Sequence, residues 1–193
     1  MDHMPPDATE TKRRLMNAAV DEFATFGLAG ARVDRIAENA TANKRSIYVH
    51  FGTKEELFDM VVAASLMELA EAAPFDAGHL PSYAGDLFDL LEQRPHVRRL
   101  TLWAALERPQ PLDTEVETYR AKIAALEVAQ AAGQVRSDIP AVELLAMVLA
   151  LVTSWDTASW SLKSLHVPAG PETGSRRDTI EAAVTGLVQP PAR

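Results

Sequence analysis

V-D-R-I-A-E-N-A-T-A-N-K-R-S-I-Y-V-H-F-G-T-K-E-E-L, residues 33–57, decides how this chain is read. The stretch divides into two short helices, a tight turn between them, and the opening of a third, longer helix. In the first short helix Ile36 and Ala37 form the buried side and Glu38 faces out. Asn43 suits the N-cap of the second, because its side-chain oxygen can accept from a free backbone N–H one turn in. That second helix runs Lys44-Arg45-Ser46-Ile47-Tyr48-Val49-His50-Phe51. Ile47 and Phe51, four apart, share a face and anchor the helix to a core. Lys44, Arg45, Ser46, Tyr48 and His50 line the other face with donors and cations. Gly52 ends the helix, and Thr53 with Glu56 has the spacing of a capping box for the next. A short helix pinned on one side and lined with donors on the other suits the major groove of DNA.

The formal net charge of the 193-residue chain is −8, which looks wrong for a DNA binder until its distribution is read. Residues 11–54 hold eight Lys/Arg against four Asp/Glu, and the remainder holds 11 against 23. Phosphate attraction depends on the local patch, so a small basic reader on an acidic body is consistent with the total. With 47% hydrophobic and 24% charged residues the composition is that of an ordinary globular protein. Cysteine is absent, which excludes disulfides and thiolate metal sites. The start, Met1 to Asp7, lacks the basic-then-apolar layout of a leader, and the longest apolar run, Leu144 to Val152, is too short to span a bilayer. The expectation is a cytoplasmic protein with no membrane partner.

Helical periodicity extends outward from the decisive stretch in both directions. Residues 1–8 read as a tail. Glu10 to Phe26 places Leu15, Ala19, Phe23 and Phe26 on one stripe and stops at Gly27. Lys12, Arg13 and Arg14 open this helix, where cations oppose its dipole; a nearby phosphate or plain solvation would answer that. The helix from Thr53 to about Ala72 is too long for a three-helix head and is expected to act as a lever between head and body. Further helices are predicted over Ser82–Arg94, from Pro95 to Arg108, over Asp113–Ala132, from Ala141 to about Leu165, and over Arg176–Val188. Residues 74–81, 109–111 and 168–174 read as Pro- and Gly-bearing links. No stretch has strand alternation with hairpin turns. The fold class is all-α with about nine helices: a helix-turn-helix head at 9–54 and a larger helical body at 55–189.

The order of elements and the motifs Ile36-Ala37-Glu38, Tyr48-Val49-His50-Phe51 and Lys54-Glu55-Glu56-Leu57 resemble the tetracycline-repressor (TetR) family of bacterial transcriptional regulators. The resemblance covers roughly residues 10–60; beyond it only helix lengths agree. It implies a DNA-binding head on an all-α body that forms a homodimer and often holds a small-molecule effector, with a palindromic operator on double-stranded DNA as partner. Carried onto matching positions, Tyr48, His50 and Lys54 would contact phosphates, and Lys44, Arg45 and Ser46 would reach bases or phosphates. Phe51 and Leu57 would be packing positions. Two departures stand out. Thr41 occupies a turn position where the family usually has Gly, and a β-branched residue is costly at positive φ. Ala31-Arg32 replaces the hydroxyl cap usual before the first short helix, which makes Arg32 a candidate phosphate ligand.

In the body, Phe88, Trp103, Met147 and Trp155 are candidate walls of a ligand pocket, although large apolar side chains at helical spacing also make plain core. Asp156 and Thr157 beside Trp155 and Trp160 could line a cavity, an interface or the surface. Ala150, Ser154, Ala158 and Ser161, small and three or four apart, would let another helix approach closely. With Ile180, Ala183, Val184 and Leu187 of the last helix they are candidates for a two-fold interface, which the resemblance implies is a four-helix one. No catalytic set is present: there is no Gly-rich phosphate loop after a strand, no G-x-S-x-G, no convincing acid pair and no paired-His motif. His3, His79, His96 and His166 are scattered, so neither a metal nor a cofactor is expected. The reading is a ligand-responsive repressor and not an enzyme. The competing class is a small-molecule carrier or enzyme whose helical head binds no DNA.

Overall fold

A computed structural model of the chain describes residues 8–108, 110–166 and 174–190. Most of the expected tail and of the 168–174 link lies outside these residues. Eleven helices appear among the described residues, nine of them of seven residues or more: α1 Ala8–Gly30, α2 Val33–Asn39, α3 Lys44–Phe51, α4 Lys54–Ala72, α5 Leu80–Gln93, α6 Pro95–Glu107, α7 Asp113–Ala131, α8 Ala141–Val152, α9 Ser154–Thr157, α10 Trp160–Ser164 and α11 Arg176–Val188. No strand occurs among them, so the all-α expectation holds. No described helix is long and apolar enough to cross a membrane.

The chain forms two compact units. The first takes the residues up to Glu68 together with Arg94–Glu115. Its core gathers Leu15, Ala19 and Phe23 of α1, Ile36 of α2, Ile47 and Phe51 of α3, Leu57, Phe58 and Val61 of α4, and Leu100 of α6. The Phe23 and Phe58 rings meet edge-on, centroids 5.1 Å apart, an arrangement that places a positive ring edge on a negative face. This pair ties the first helix to the fourth, and the reader is packed on the floor they make.

The second unit takes Leu69–Gln93 and the chain from Val116. Within it α5 packs on α8 and α11, and α8 packs on α11. Arg177 of α11 reaches Asp86 (2.9 Å) and Asp89 of α5 as well as Glu181 of its own helix (3.0 Å). Ser175 and Asp178 close a full capping box at the start of α11.

The single long helix expected from Ala141 to Leu165 is not formed. It stops at Val152 and continues as two short turns, α9 and α10, joined through Ala158 in an extended conformation (φ −61°, ψ 140°). The polar residues that follow the apolar run explain the break. Thr153 Oγ1 donates to the Leu149 carbonyl at 3.1 Å and Ser154 Oγ to the Leu151 carbonyl at 2.8 Å. Ser159 then caps α10 by accepting from the Leu162 N–H. Hydroxyls of this kind offer the backbone alternatives to the helix ladder, and here they win.

Candidate nucleic-acid interface

The reader begins with a cap that comes from far along the chain. Arg32 precedes α2 with extended backbone (φ −122°, ψ 121°) and makes no side-chain cap. Its N–H instead donates to Glu22 Oε1 of α1 at 2.7 Å. The same carboxylate, 4% exposed, accepts from Arg35 Nη2 at 2.6 Å and Nε at 2.9 Å. Arg35 also donates to the Gly30 carbonyl at 3.1 Å and lies 4.2 Å from the centroid of the Phe26 ring. One buried, fully engaged carboxylate thus sets both the entry and the orientation of α2. The missing hydroxyl cap has been replaced by Glu22 and not by the Arg32 side chain, which is left exposed.

The turn into α3 is a Schellman motif. Ala42 N–H donates to the Ala37 carbonyl (2.9 Å) and Thr41 N–H to the Glu38 carbonyl (3.0 Å), the two bonds that define it. Thr41 sits at the left-handed position, φ 49°, the one described non-glycine residue with positive φ. The turn therefore keeps the geometry that a glycine would adopt, with a β-branched residue held in it.

Asn43 then caps α3 as expected, its Oδ1 accepting from Arg45 N–H at 2.8 Å. Ile47 (0% exposed) and Phe51 (2%) are buried, and Gly52 closes the helix at φ 77°. Thr53 and Glu56 form the capping box of α4: Thr53 N–H donates to Glu56 Oε2 (2.7 Å) and Glu56 N–H to Thr53 Oγ1 (3.1 Å). These bonds hold the Glu56 carboxyl below its usual range, the Thr53 N–H first and its hydroxyl second.

What the anchored helix leaves in solvent is the predicted donor face. Lys44 and Arg45 are exposed, Ser46 and His50 half-buried, and Tyr48 is 51% exposed. Lys44 Nζ stands 2.9 Å from Asp34 of α2, whose hydrogen bond and charge raise the ammonium's pKa, so Lys44 stays cationic. Lys54, at the start of α4, donates to the Ala31 carbonyl at 3.3 Å. Lys12 of α1 lies 5.8 Å from the centroid of the Phe51 ring. Arg13 is paired with Glu10, an exposed intrahelical bridge worth little. The sequence reading passed over Val49, which is 71% exposed on the same face. Its flank between Tyr48 and His50 was the signal, because an apolar side chain on an otherwise polar face has no core to serve.

Helix α1 does not simply stop at Gly27. It breaks there (φ 68°, ψ −177°) and makes one more turn to Gly30. A Cβ at Gly27 would lie 2.8 Å from both the Trp103 ring and the Glu107 carboxylate of α6, so positive φ and close approach both demand glycine. Glu107 accepts from the Leu28 and Ala29 N–H groups, and Arg99 Nη2 donates to the Thr25 carbonyl at 3.0 Å. Helix α6 therefore satisfies backbone groups on both sides of the break.

The pocket candidates are divided between the two units. Trp103 packs on the core of the first unit, whereas Phe88, Met147 and Trp155 belong to the second. Met147 is 42% exposed, and the Trp155 ring meets His166 (5.1 Å) and Arg176 (4.7 Å). Periodicity assigned these residues to helix faces but carried no information about which neighbour each face would meet. A cleft of about 330 Å³ does exist in the first unit, between α4 and α6. Phe58, Val62, Leu66 and Leu112 supply its apolar wall, and Asp59, Arg108 and Glu115 its charges.

The interface candidates are spread over several elements. Because the helix breaks after Val152, Ala150, Ser154, Ala158 and Ser161 do not form one stripe. Ile180 and Val184 are buried at 5% and 0% within the subunit's own core. Ala183 is exposed and Leu187 half-buried.

This arrangement, a pinned helix behind a tight turn with its cations and donors in solvent, is what a helix-turn-helix DNA reader requires. Comparison with known proteins agrees. Residues 15–61 match the family of bacterial regulatory proteins called tetR, and residues 79–185 match the tetracyclin repressor-like C-terminal domain. The HTH-type transcriptional repressor SCO4008 of Streptomyces coelicolor is 36% identical over 187 residues, covering 94% of this chain and 97% of that protein. The HTH-type transcriptional repressor AcnR of Corynebacterium jeikeium is 30% identical over 154 residues, 76% of this chain and 79% of its own length. The crystal structure of SCO4942 from Streptomyces coelicolor matches with TM-score 0.81 and 33% identity over 92% of this chain and 98% of that one. The chain belongs to the TetR family. It is a DNA-binding transcriptional regulator and not an enzyme.

Proposed function

We propose that the protein is a homodimeric, effector-responsive repressor that acts in the cytoplasm on a two-fold symmetric operator. Residues 9–54 serve as the reader and 55–189 as the body that pairs and takes the effector. The observation that carries this reading is the division of α3 into a buried side, Ile47 and Phe51, and a solvent side of cations and donors. Lys44, Arg45 and Ser46, at the helix start, read base edges or phosphates. Tyr48, His50, Lys54 and Arg32 hold phosphates and set the register. Val49 meets a thymine methyl, the apolar feature the major groove offers. The repressor sense is supported by the names of the relatives, which are repressors.

Pairing is assigned to α8 and α11. Val142, Ala146, Met147 and Ala150 of α8 and Ala182, Ala183 and Gly186 of α11 are exposed in the subunit. Their spacing of three and four residues keeps them on one side of each helix, and the small Ala146, Ala150, Ala182, Ala183 and Gly186 let a second copy come close. Two readers joined in this way must sit about one DNA turn apart, or a small multiple, to enter successive grooves together. An effector that prefers a subunit conformation with another head separation lowers DNA affinity by its differential affinity for the two states. The α4–α6 cleft has a volume within the range of small-molecule sites.

Selection of genomic fragments with purified protein tests the reading. The expected outcome is a recurrent inverted repeat bound by two chains. Recovery of fragments with no common sequence would contradict it.

A further inference from the structure

Thr41 combines three properties that are hard to reconcile if it is only a link. It holds the left-handed position of the Schellman turn at φ 49°, where a β-branched side chain is strained and glycine is not. It is exposed, so no packing of its methyl offsets that strain. Its hydroxyl has no partner among the described residues. The conformation is imposed by the Ala42-to-Ala37 and Thr41-to-Glu38 backbone bonds, so the Cα–Cβ bond points as rigidly as the turn itself, and branching at Cβ restricts χ1. Strain kept at a solvent-facing position of a binding element points to use of the side chain, since it is otherwise an uncompensated cost. The turn stands two residues before Asn43, the cap of α3, and three before Lys44, the first cation of the reader.

We infer that the Thr41 hydroxyl is a preset donor to a phosphate of the DNA backbone at the leading end of α3. This rests on the regulator reading and adds a contact that the cationic pattern does not reveal. Being neutral, the hydroxyl displaces no counterion, so its contribution is independent of salt, unlike that of Lys54. A phosphate carries no base identity, so the contribution is also independent of sequence.

The test uses the full-length protein, a fragment selected from genomic DNA by the wild type, and a scrambled duplex of equal length. Thr41→Gly removes strain and hydroxyl, Thr41→Ala removes the hydroxyl without giving the backbone glycine's freedom, and Thr41→Ser keeps the hydroxyl. Thr41→Gly is expected to melt about 2–4 °C higher than wild type. Both Thr41→Gly and Thr41→Ala are expected to bind either duplex about tenfold more weakly, with an unchanged salt slope. Thr41→Ser is expected to bind as wild type does. Affinity of Thr41→Ala and Thr41→Gly equal to wild type would overturn the assignment while leaving the regulator reading intact, as would a Thr41→Ser variant as weak as Thr41→Ala. A wild-type protein that selects no fragment would overturn the regulator reading and this contact with it.

Discussion

Glu22 shows how much of the geometry of α2 can rest on one side chain of another helix. Its carboxylate has two Arg35 nitrogens and one backbone N–H within hydrogen-bonding distance, and it is almost entirely buried. Glu22→Gln keeps the shape but removes the charge and offers donors where acceptors are needed. We expect it to lower the free energy of unfolding by about 1–3 kcal/mol in a denaturant titration. An unchanged midpoint would mean that the α2 entry is held by something else. On the solvent side, Lys44→Ala or Arg45→Ala should cost about 1–3 kcal/mol of operator binding if the residue reads a base, and should relax preference at one position. Lys54→Ala should instead weaken all sequences alike and reduce the salt slope by about 1, measured by binding across a salt series. The sequence made Lys44 and Arg45 legible, because their face is opposite Ile47 and Phe51. It did not make Glu22 legible, since a buried acid ten residues upstream of its partner looks like any other surface charge until the fold closes.

Elements followed local signals where those signals were uncontested. Asn43 and the Thr53–Glu56 box mark helix starts in the sequence, and the caps form there. The run after Val152 was contested: apolar periodicity argued for a continuing helix, but Thr153, Ser154 and Ser159 supplied competing hydroxyls, and the chain broke. The α1–α6 clamp was not legible at all, because Glu107 meets backbone groups 78 and 79 residues away. Two helix starts also carry a pH dependence. Glu56 is held below its usual pKa by the N–H and then the hydroxyl of Thr53. Asp178 is held below its own by the hydroxyl and then the N–H of Ser175. A depressed carboxyl contributes stability that is present above its unfolded pKa and lost as pH falls through the folded one. The α4 start should therefore loosen below about pH 4.5, the usual value for Glu, and the α11 start below about pH 3.8, the usual value for Asp. Glu56→Gln, whose amide oxygen still accepts, should lose less melting temperature between pH 5 and pH 3 than wild type. Parallel acid curves for the two proteins would contradict this.

For the whole molecule, the proposed pairing can be tested separately from reading. Ala183→Glu and Ala146→Glu place charges on faces that are exposed in the subunit, so the fold should survive while the dimer does not. Sedimentation should then give a folded monomer, and operator affinity should fall because two half-sites no longer bind as one. A variant that remains dimeric would move the interface elsewhere. An acidic protein of net charge −8 that binds DNA must do so through a local patch, so the binding curve itself is the sharpest discriminator. The most direct measurement is equilibrium binding of the purified protein to its selected genomic fragment and to a scrambled duplex, across a salt series. The account predicts two chains per fragment, a strong preference over the scrambled duplex, and an affinity falling linearly in log–log form with salt. Equal binding to the two duplexes, or none to either, would contradict it.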